Sequence, residues 1–420
     1  MDVRDFVVDQ SSRGADGLVE LRDRPLLIRG SSAAQWPALR RWSDAAAMKK
    51  AMAGVELAFR NASAGSPVFV PVGERMLSLG AIDAFEMQTA VGLESFYADD
   101  ASRGDGDDDG DGWLLYHTGD VDGEWAPVKG DLRVEELELE AGVSRSMVWV
   151  GRAGVVANTH YDTSYNLHIQ ITGAKQWILH PPSASVDVEP FPWLHVHYRQ
   201  ARDMQANHDD ALIITVRPGE ILYVPPFWWH SVRAVERSYS VSVLSPAVGE
   251  RSAAELLAMP PPRPPAQAGR GFKARALEVV ASARALVFGA GVSWDAVMEL
   301  VEARYARLPI GSSSQMRALT KAACWPTERA AIDLATASDT SDELAISSGG
   351  SNRLTRRKKI DAGAVASRAA LWAASRIPLL TDVVVDGREA IATDLMEVIA
   401  SDLFGDDGRF VGRFWAACGV

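Results

Sequence analysis

Short β-like runs follow one another between residues 130 and 247, and few folds accommodate such a series. Each run is rich in Val, Ile, Leu, Tyr or Trp, and turn residues such as Pro218-Gly219 separate it from the next. The runs are 146–150, 167–171, 176–179, 212–216, 221–224 and 239–244. Several short strands with regular turn signals are typical of an all-β sandwich or barrel. We therefore predict a β core over about residues 130–247.

The segment before this core has a mixed pattern. A short apolar run ended by glycine predicts a strand at 25–30, and helical spacing predicts a helix from about 43 to 60, with another short strand at 68–72. Residues 99–112 are nearly all Asp and Gly. They lack the glutamate that a calcium-binding loop needs at its twelfth position, so we predict a disordered acidic insertion there.

The segment after the core changes character again. The run PPPRPPAQAGR lies within residues 251–270 and predicts a proline-rich linker. The remainder, residues 271–420, is rich in alanine and has helical periodicity. The strongest helical stretches are at about 274–288, 293–308, 314–323 and 364–374. We therefore predict a separate helical C-terminal region.

Charge and composition disfavour several classes of function. The net charge is −12, which opposes nucleic-acid binding because phosphate contacts need clustered Lys and Arg. An acidic surface suits a basic peptide or protein, although it also simply aids solubility. Two cysteines are too few for a disulfide framework or a cysteine zinc site. The apolar stretch 276–294 is interrupted by Glu278 and Arg284, so we predict no membrane span.

Two histidines and one aspartate form the main chemical signal. His160 and Asp162 are two residues apart, a spacing that sends both side chains to one face of a strand. His230 follows a strand that begins after a Pro-Gly turn and stops at two prolines. Two histidines with one carboxylate are the facial triad of non-haem iron oxygenases. The alternative is that His-x-Asp is a chance tripeptide and that His230 is an ordinary packed histidine.

Lys175 is a candidate anchor for an acidic co-substrate. It follows the Gly173-Ala174 turn and begins an apolar β-like run. The distal carboxylate of 2-oxoglutarate needs a cation in a largely apolar pocket. An edge-strand lysine that blocks aggregation or reaches to water is the alternative, and from this residue alone it is the stronger one.

The segments HYDTSYNLHIQITGAKQWILHPP and PGEILYVPPFWWHSV resemble the Jumonji-C (cupin-like) hydroxylases, with the closest likeness to the asparaginyl hydroxylase of hypoxia-inducible factor. The resemblance implies a double-stranded β-helix, a jelly-roll core within residues 1–250, with an N-terminal α/β segment and a C-terminal helical region. It implies that His160, Asp162 and His230 bind Fe(II). It also implies that Lys175 pairs with the distal carboxylate of 2-oxoglutarate and that Asn166 lies near this co-substrate.

Further positions follow from the resemblance. Tyr116 matches a tyrosine that contacts the co-substrate, and Arg199-Gln200 match a pair that lines the substrate groove. Ala157 is a departure, because the relative carries a threonine there that contacts the co-substrate. This difference puts co-substrate use in doubt and leaves the triad untouched.

The resemblance implies an oxygenase that uses Fe(II), 2-oxoglutarate and O2, and hydroxylation of a protein side chain is our first choice. Lower alternatives are a tRNA-modifying hydroxylase and a histone demethylase. From other classes, a cupin metalloenzyme without 2-oxoglutarate and a non-catalytic cupin-like binding protein stay open.

The predicted partner is a protein or peptide substrate, and relatives that dimerise through C-terminal helices imply a possible homodimer. The basic run at 356–359 leaves a cytoplasmic and a nuclear location open.

Overall fold

The structure is a computed structural model. It describes residues 7–9, 23–62, 67–68, 93–98, 114–137, 142–193, 195, 197–202, 211–262, 272–305 and 362–404. The chain divides into two compact units. The first comprises residues 1–73, 81–191 and 199–250, and the second comprises 74–80, 192–198 and 251–420.

Two β-sheets form the first unit. In chain order the strands are β1 Val7–Asp9, β2 Leu26–Arg29, β3 Arg60–Ala62, β4 Pro67–Val68, β5 Leu114–Asp120, β6 Arg145–Gly151, β7 Val156–His160, β8 Tyr165–Thr172, β9 Lys175–His180, β10 Leu212–Val216, β11 Ile221–Val224, β12 Trp229–Ala234 and β13 Ser238–Ser245. The larger sheet has the order β1-β2-β11-β8-β13-β6-β5-β3, and the smaller has the order β10-β9-β12-β7-β4. All pairings are antiparallel except β1–β2 and β4–β7. The predicted class, a jelly-roll β core with helices, is confirmed.

The outer face of the larger sheet is apolar and covered. Alternate residues such as Ile169, Val241 and Val148 project from this face and are fully buried. They pack in one cluster with Trp36 and Trp42 of the N-terminal segment. Short helices of this segment, α1 Pro37–Arg41, α2 Ala45–Ala51 and α3 Leu93–Ala98, supply further apolar residues to the cluster. The N-terminal α/β segment is therefore part of the core rather than an appendage.

The space between the sheets is divided into an apolar side and a polar side. On the apolar side, residues of the larger sheet such as Leu222 pack against Leu179 and Ile214 of the smaller sheet. On the polar side, the inward residues of β8 are Asn166, His168 and Gln170, all buried. The polar side contains the candidate site.

The turn between β8 and β9 requires glycine. Gly173 has φ +64°, a left-handed conformation that costs glycine little. A Cβ atom at this position would lie 2.3 Å from the backbone oxygen of Arg237. The turn predicted from Gly173-Ala174 is present, and it fixes where β9 and Lys175 begin.

Several elements differ from the sequence prediction. The helix expected over 43–60 ends at Ala51, because Gly54 adopts φ +81° and the chain then extends to β3. The sheets also take in β2, β3 and β5, so the β core begins before residue 130. The acidic insertion at 99–112 and all of the strand expected at 68–72 except Val68 lie outside the described residues.

Helices make up most of the described part of the second unit. The helices are α4 Glu250–Ala258, whose first residue belongs to the first unit, α5 Phe272–Gly289, α6 Trp294–Tyr305, α7 Ala362–Ala374, α8 Ile377–Asp382 and α9 Arg388–Phe404. The interval 251–270 thus begins with a helix, and its residues 263–270 and the helix expected at 314–323 lie outside the described residues. Arg304 joins α6 to α9 through Asp394 and Glu397 at 2.7 and 2.6 Å. No described helix is long and apolar enough to cross a membrane.

Candidate metal centre

Two neighbouring strands and the turn after one of them form the centre. In the smaller sheet, β7 and β12 are antiparallel, and His160 is paired directly with His230. The spacing predicted that His160 and Asp162 lie on one strand. This is wrong for Asp162, because β7 ends at His160 and Asp162 lies beyond it. The backbone oxygen of Asp162 accepts a hydrogen bond of 2.7 Å from Phe227 N. Phe227 has φ +64°, an unusual conformation for a bulky residue, and it connects β11 to β12.

The three side chains converge. One ligand atom each from His160, Asp162 and His230 lies within 4.8 Å of the others. The Nε2 atom of His230 is 3.9 Å from Oδ2 of Asp162, and the two imidazole centroids are 4.3 Å apart. One ion can therefore be held by all three after small adjustments, because metal–ligand distances for these atoms are about 2.0–2.2 Å.

Hydrogen bonds fix the orientation of each of the three side chains. Nδ1 of His160 is 2.6 Å from the carbonyl oxygen of Asn158, and Nδ1 of His230 is 2.9 Å from that of Trp228. A carbonyl oxygen only accepts, so both Nδ1 atoms donate, and in the neutral form of each ring Nε2 is the nitrogen whose lone pair can bind a metal. Asn166 donates to Oδ2 of Asp162 at 3.2 Å.

His230 is held in its neutral form. Burial is the main reason that the pKa of His230 falls to about 4, and the neighbouring His160 lowers it further. The contact of 3.9 Å with Asp162 is therefore not an ion pair at neutral pH. Neutral imidazole is the form that binds metal ions.

Lys175 lies inside the barrel. It is 5% exposed, and its strand β9 lies between β10 and β12, so the alternative of an edge-strand lysine is wrong. Its Nζ donates to Ser240 Oγ at 2.7 Å across the two sheets. No carboxylate among the described residues forms an ion pair with it. Burial lowers the pKa of Lys175 to about 7.

Other buried polar atoms near this interior have no partner among the described residues. They are Asn166 Oδ1, Trp149 Nε1, Trp177 Nε1 and Thr118 Oγ1. The Trp177 ring lies 5.2 Å from that of His230. Because buried polar groups in proteins are nearly always satisfied, such a concentration fits a polar ligand that supplies the missing partners. The residues present therefore fit both a divalent metal and an acidic small molecule.

The remaining positions taken from the resemblance also border this interior. Tyr116 is buried against Trp149 and Ala234, and Ala234 is paired with Lys175. Gln200 forms a β-bridge with His160, and the backbone oxygen of Arg199 accepts from Tyr161 N at 3.1 Å. Both residues of the Arg-Gln pair therefore lie along the edge of the strand that carries His160.

Sequence reasoning missed Ser240, Trp149 and Thr118. A signal existed for Ser240, because the run Ser238-Tyr-Ser-Val-Ser-Val alternates small polar and apolar residues and so predicts a strand with one polar face. Thr118 and Trp149 gave none, since their positions depend on pairing between strands distant in sequence.

Comparison with known families gives a direct assignment. The family model described as "Cupin-like domain" matches residues 18–245, more than half of the 420 residues. The chain belongs to the cupin-like family. The matched segment contains the three candidate metal ligands and Lys175, while the C-terminal helices of this cupin-like chain lie outside it.

Individual relatives match shorter segments. "Jumonji C domain-containing protein 5" of Drosophila melanogaster is 33% identical over 109 residues, covering 22% of this chain and 26% of that protein. "Lysine-specific demethylase 8" of Xenopus tropicalis is 29% identical over 125 residues, covering 27% and 26%. "Bifunctional peptidase and (3S)-lysyl hydroxylase JMJD7" of Homo sapiens is 28% identical over 123 residues, covering 22% and 39%.

These matches confirm the predicted resemblance to the Jumonji-C group. They span less than half of each relative's own length. The nearer likeness to the asparaginyl hydroxylase of hypoxia-inducible factor stays a prediction.

Proposed function

We propose that this protein is an Fe(II)- and 2-oxoglutarate-dependent oxygenase that hydroxylates a protein side chain. The observation that carries the proposal is the convergence of His160, Asp162 and His230 within 4.8 Å, in the same barrel as a buried lysine without a described carboxylate partner. A metal site alone would suit many cupins. The uncompensated ammonium adds the requirement for an acidic ligand, which a 2-oxo dicarboxylic acid meets.

Each residue has a distinct task in this proposal. His160, Asp162 and His230 would hold the iron through Nε2, a carboxylate oxygen and Nε2, and Asn166 would keep the carboxylate oriented. Lys175 would fix the distal carboxylate of the co-substrate, with Tyr116 beside it. When bound, iron and 2-oxoglutarate supply the oxidising chemistry: one atom of O2 enters the substrate as a hydroxyl group and the other enters succinate as CO2 leaves. His230 and Lys175, both buried, would keep their side of the site away from bulk water.

Lys175 and the metal ligands together discriminate between this proposal and the two alternatives, a cupin metalloenzyme without 2-oxoglutarate and a non-catalytic binding protein. A metalloenzyme that does not use 2-oxoglutarate has no need of a buried cation, and a binding protein has no need of three convergent ligands. Burying an ammonium without a counter-charge destabilises a fold, so its presence here favours a function that supplies the counter-charge.

A protein or peptide is the substrate that we propose. The net charge of −12 favours a basic segment over nucleic acid. Relatives named as a lysine-specific demethylase and a (3S)-lysyl hydroxylase support side chains of proteins as the substrate class. We place Arg199 and Gln200 in the groove that receives this substrate, next to His160.

Release of succinate from 2-oxoglutarate tests the activity. The wild type, with Fe(II) and ascorbate, is expected to turn over slowly without substrate and faster with a basic peptide library. His160→Ala and Lys175→Ala should each reduce succinate release at least tenfold, while Lys50→Ala, at an exposed lysine of α2, should not. Equal succinate release by the wild type and His160→Ala would contradict the proposal.

We also propose that the helices of residues 271–420 mediate a homodimer. Sedimentation of the full chain at several concentrations tests this separately. A dimer that persists at micromolar concentration is expected, whereas a monomer throughout this range would contradict it.

A further inference from the structure

A row of inward-facing side chains crosses three strands of the larger sheet. Thr118 on β5 is paired with Trp149 on β6, and Trp149 is paired with Ser240 on β13. Directly opposite residues of antiparallel strands project from the same face. Ser240 reaches Lys175 on the other sheet, so this face lines the barrel interior. We call Thr118, Trp149 and Ser240 the donor row.

Two members of the donor row have buried polar atoms that lack a partner. Thr118 Oγ1 and Trp149 Nε1 are inaccessible to solvent and form no hydrogen bond with any described residue. An indole N–H can only donate, and a hydroxyl also carries a proton that seeks an acceptor. Since unsatisfied buried donors are rare in folded proteins, these two call for an acceptor that the described residues do not supply.

The resemblance to the asparaginyl hydroxylase of hypoxia-inducible factor implies a threonine contact with the co-substrate at position 157. Alanine stands at this position and has no hydroxyl to make that contact. It lies on β7, where it pairs with Val232 of β12. A carboxylate has about four lone-pair positions, and Lys175 with Ser240 leaves some of them unfilled.

We propose that Thr118 and Trp149, acting with Lys175 and Ser240, bind the distal carboxylate of the co-substrate and replace the hydroxyl that Ala157 lacks. This inference rests on the proposed function and deepens it. It assigns the specificity for a dicarboxylic 2-oxo acid to four donors on β5, β6, β9 and β13. A single carboxylate would provide both the counter-charge for the Lys175 ammonium and the hydrogen-bond acceptors that Trp149 Nε1 and Thr118 Oγ1 lack.

Calorimetric titration of the full chain with 2-oxoglutarate tests the inference. The protein is held anaerobically with Fe(II), so the readout is affinity rather than turnover. Thr118→Val keeps the shape and removes the hydroxyl, and Trp149→Phe removes the indole N–H. Each is expected to raise the Kd about tenfold, because a hydrogen bond to a charged group is lost. Thr118→Ser keeps a hydroxyl and should stay within about twofold of wild type.

Matched controls distinguish a failure of the donor row from a failure of the proposed function. Thr215→Val on β10 changes a half-buried threonine two residues after the exposed Ile213, and its Kd should be unchanged. If the wild type binds and Lys175→Ala weakens binding, but Thr118→Val and Trp149→Phe stay within twofold, the donor row is overturned and the proposed function stands. If the wild type with Fe(II) does not bind 2-oxoglutarate, both fall. Thermal unfolding without ligand is compared for every variant, and Thr118→Val alone decides if Trp149→Phe does not fold.

Discussion

At the scale of single residues, Lys175 is a position where function opposes stability. Its pKa is lowered to about 7 by burial, whereas a lysine in the unfolded chain titrates near 10.4. Between these two values the unfolded chain binds more protons than the folded one, so the contribution of this residue to stability rises with pH over that window. Below pH 7 both states are protonated and the full penalty applies.

The variant Lys175→Met should therefore stabilise the protein without ligand. We expect a gain of about 2–4 kcal/mol at pH 7, shrinking as the pH approaches 10. Urea unfolding of both proteins at pH 7, 8.5 and 10 measures it. Stability equal to wild type at pH 7, or a difference that grows with pH, would show that Lys175 is not buried as an uncompensated ammonium.

Asn166 supports the candidate metal centre from outside the three ligands. Its amide donates to the carboxylate of Asp162 at 3.2 Å and so orients a candidate metal ligand. Removing such an outer partner costs about 10–100-fold in metal affinity. Asn166→Ala should weaken Mn(II) binding by about this factor in the absence of co-substrate, while Gln176→Ala on β9 should not. Unchanged Mn(II) affinity in Asn166→Ala would remove Asn166 from the metal centre.

At the scale of elements, the β8–β9 turn determines where the strand that carries Lys175 begins. Gly173→Ala introduces a Cβ 2.3 Å from the backbone oxygen of Arg237 in addition to the strain of φ +64°. Gly54→Ala is a matched control, because Gly54 has φ +81° but nothing within 4 Å of its Cβ position. We expect about 1–2 kcal/mol of destabilisation for Gly54→Ala from left-handed backbone strain, and about 3 kcal/mol or more for Gly173→Ala. Urea unfolding measures both, and equal losses would mean that the turn relaxes around the methyl group.

At the scale of the whole molecule, features that depend on local sequence patterns were predicted better than features that depend on the pairing of distant strands. Apolar runs with glycine and proline between them predicted β6, β8 to β11 and β13. His160, Asp162 and His230 were identified from their spacing and the resemblance. The helix over 43–60 was wrong at its end, because the left-handed Gly54 overrides good helix formers on either side. Strand β5 was not predicted, because it is recognised partly by its pairing with β6 and β3, which the sequence alone does not show. The donor row could not be predicted for the same reason, as it unites residues up to 122 positions apart through strand register.

The most direct test of the central claim is the visible absorption of the anaerobic protein with Fe(II) and 2-oxoglutarate. A 2-oxo acid that chelates Fe(II) through its oxo and carboxylate oxygens produces a metal-to-ligand charge-transfer band. The wild type is expected to develop this band with one equivalent of each, Lys175→Ala only at much higher 2-oxoglutarate concentration, and His160→Ala not at all. A wild type that binds Fe(II) but never develops the band, or a band that persists in His160→Ala, would contradict an oxygenase centre at His160, Asp162 and His230.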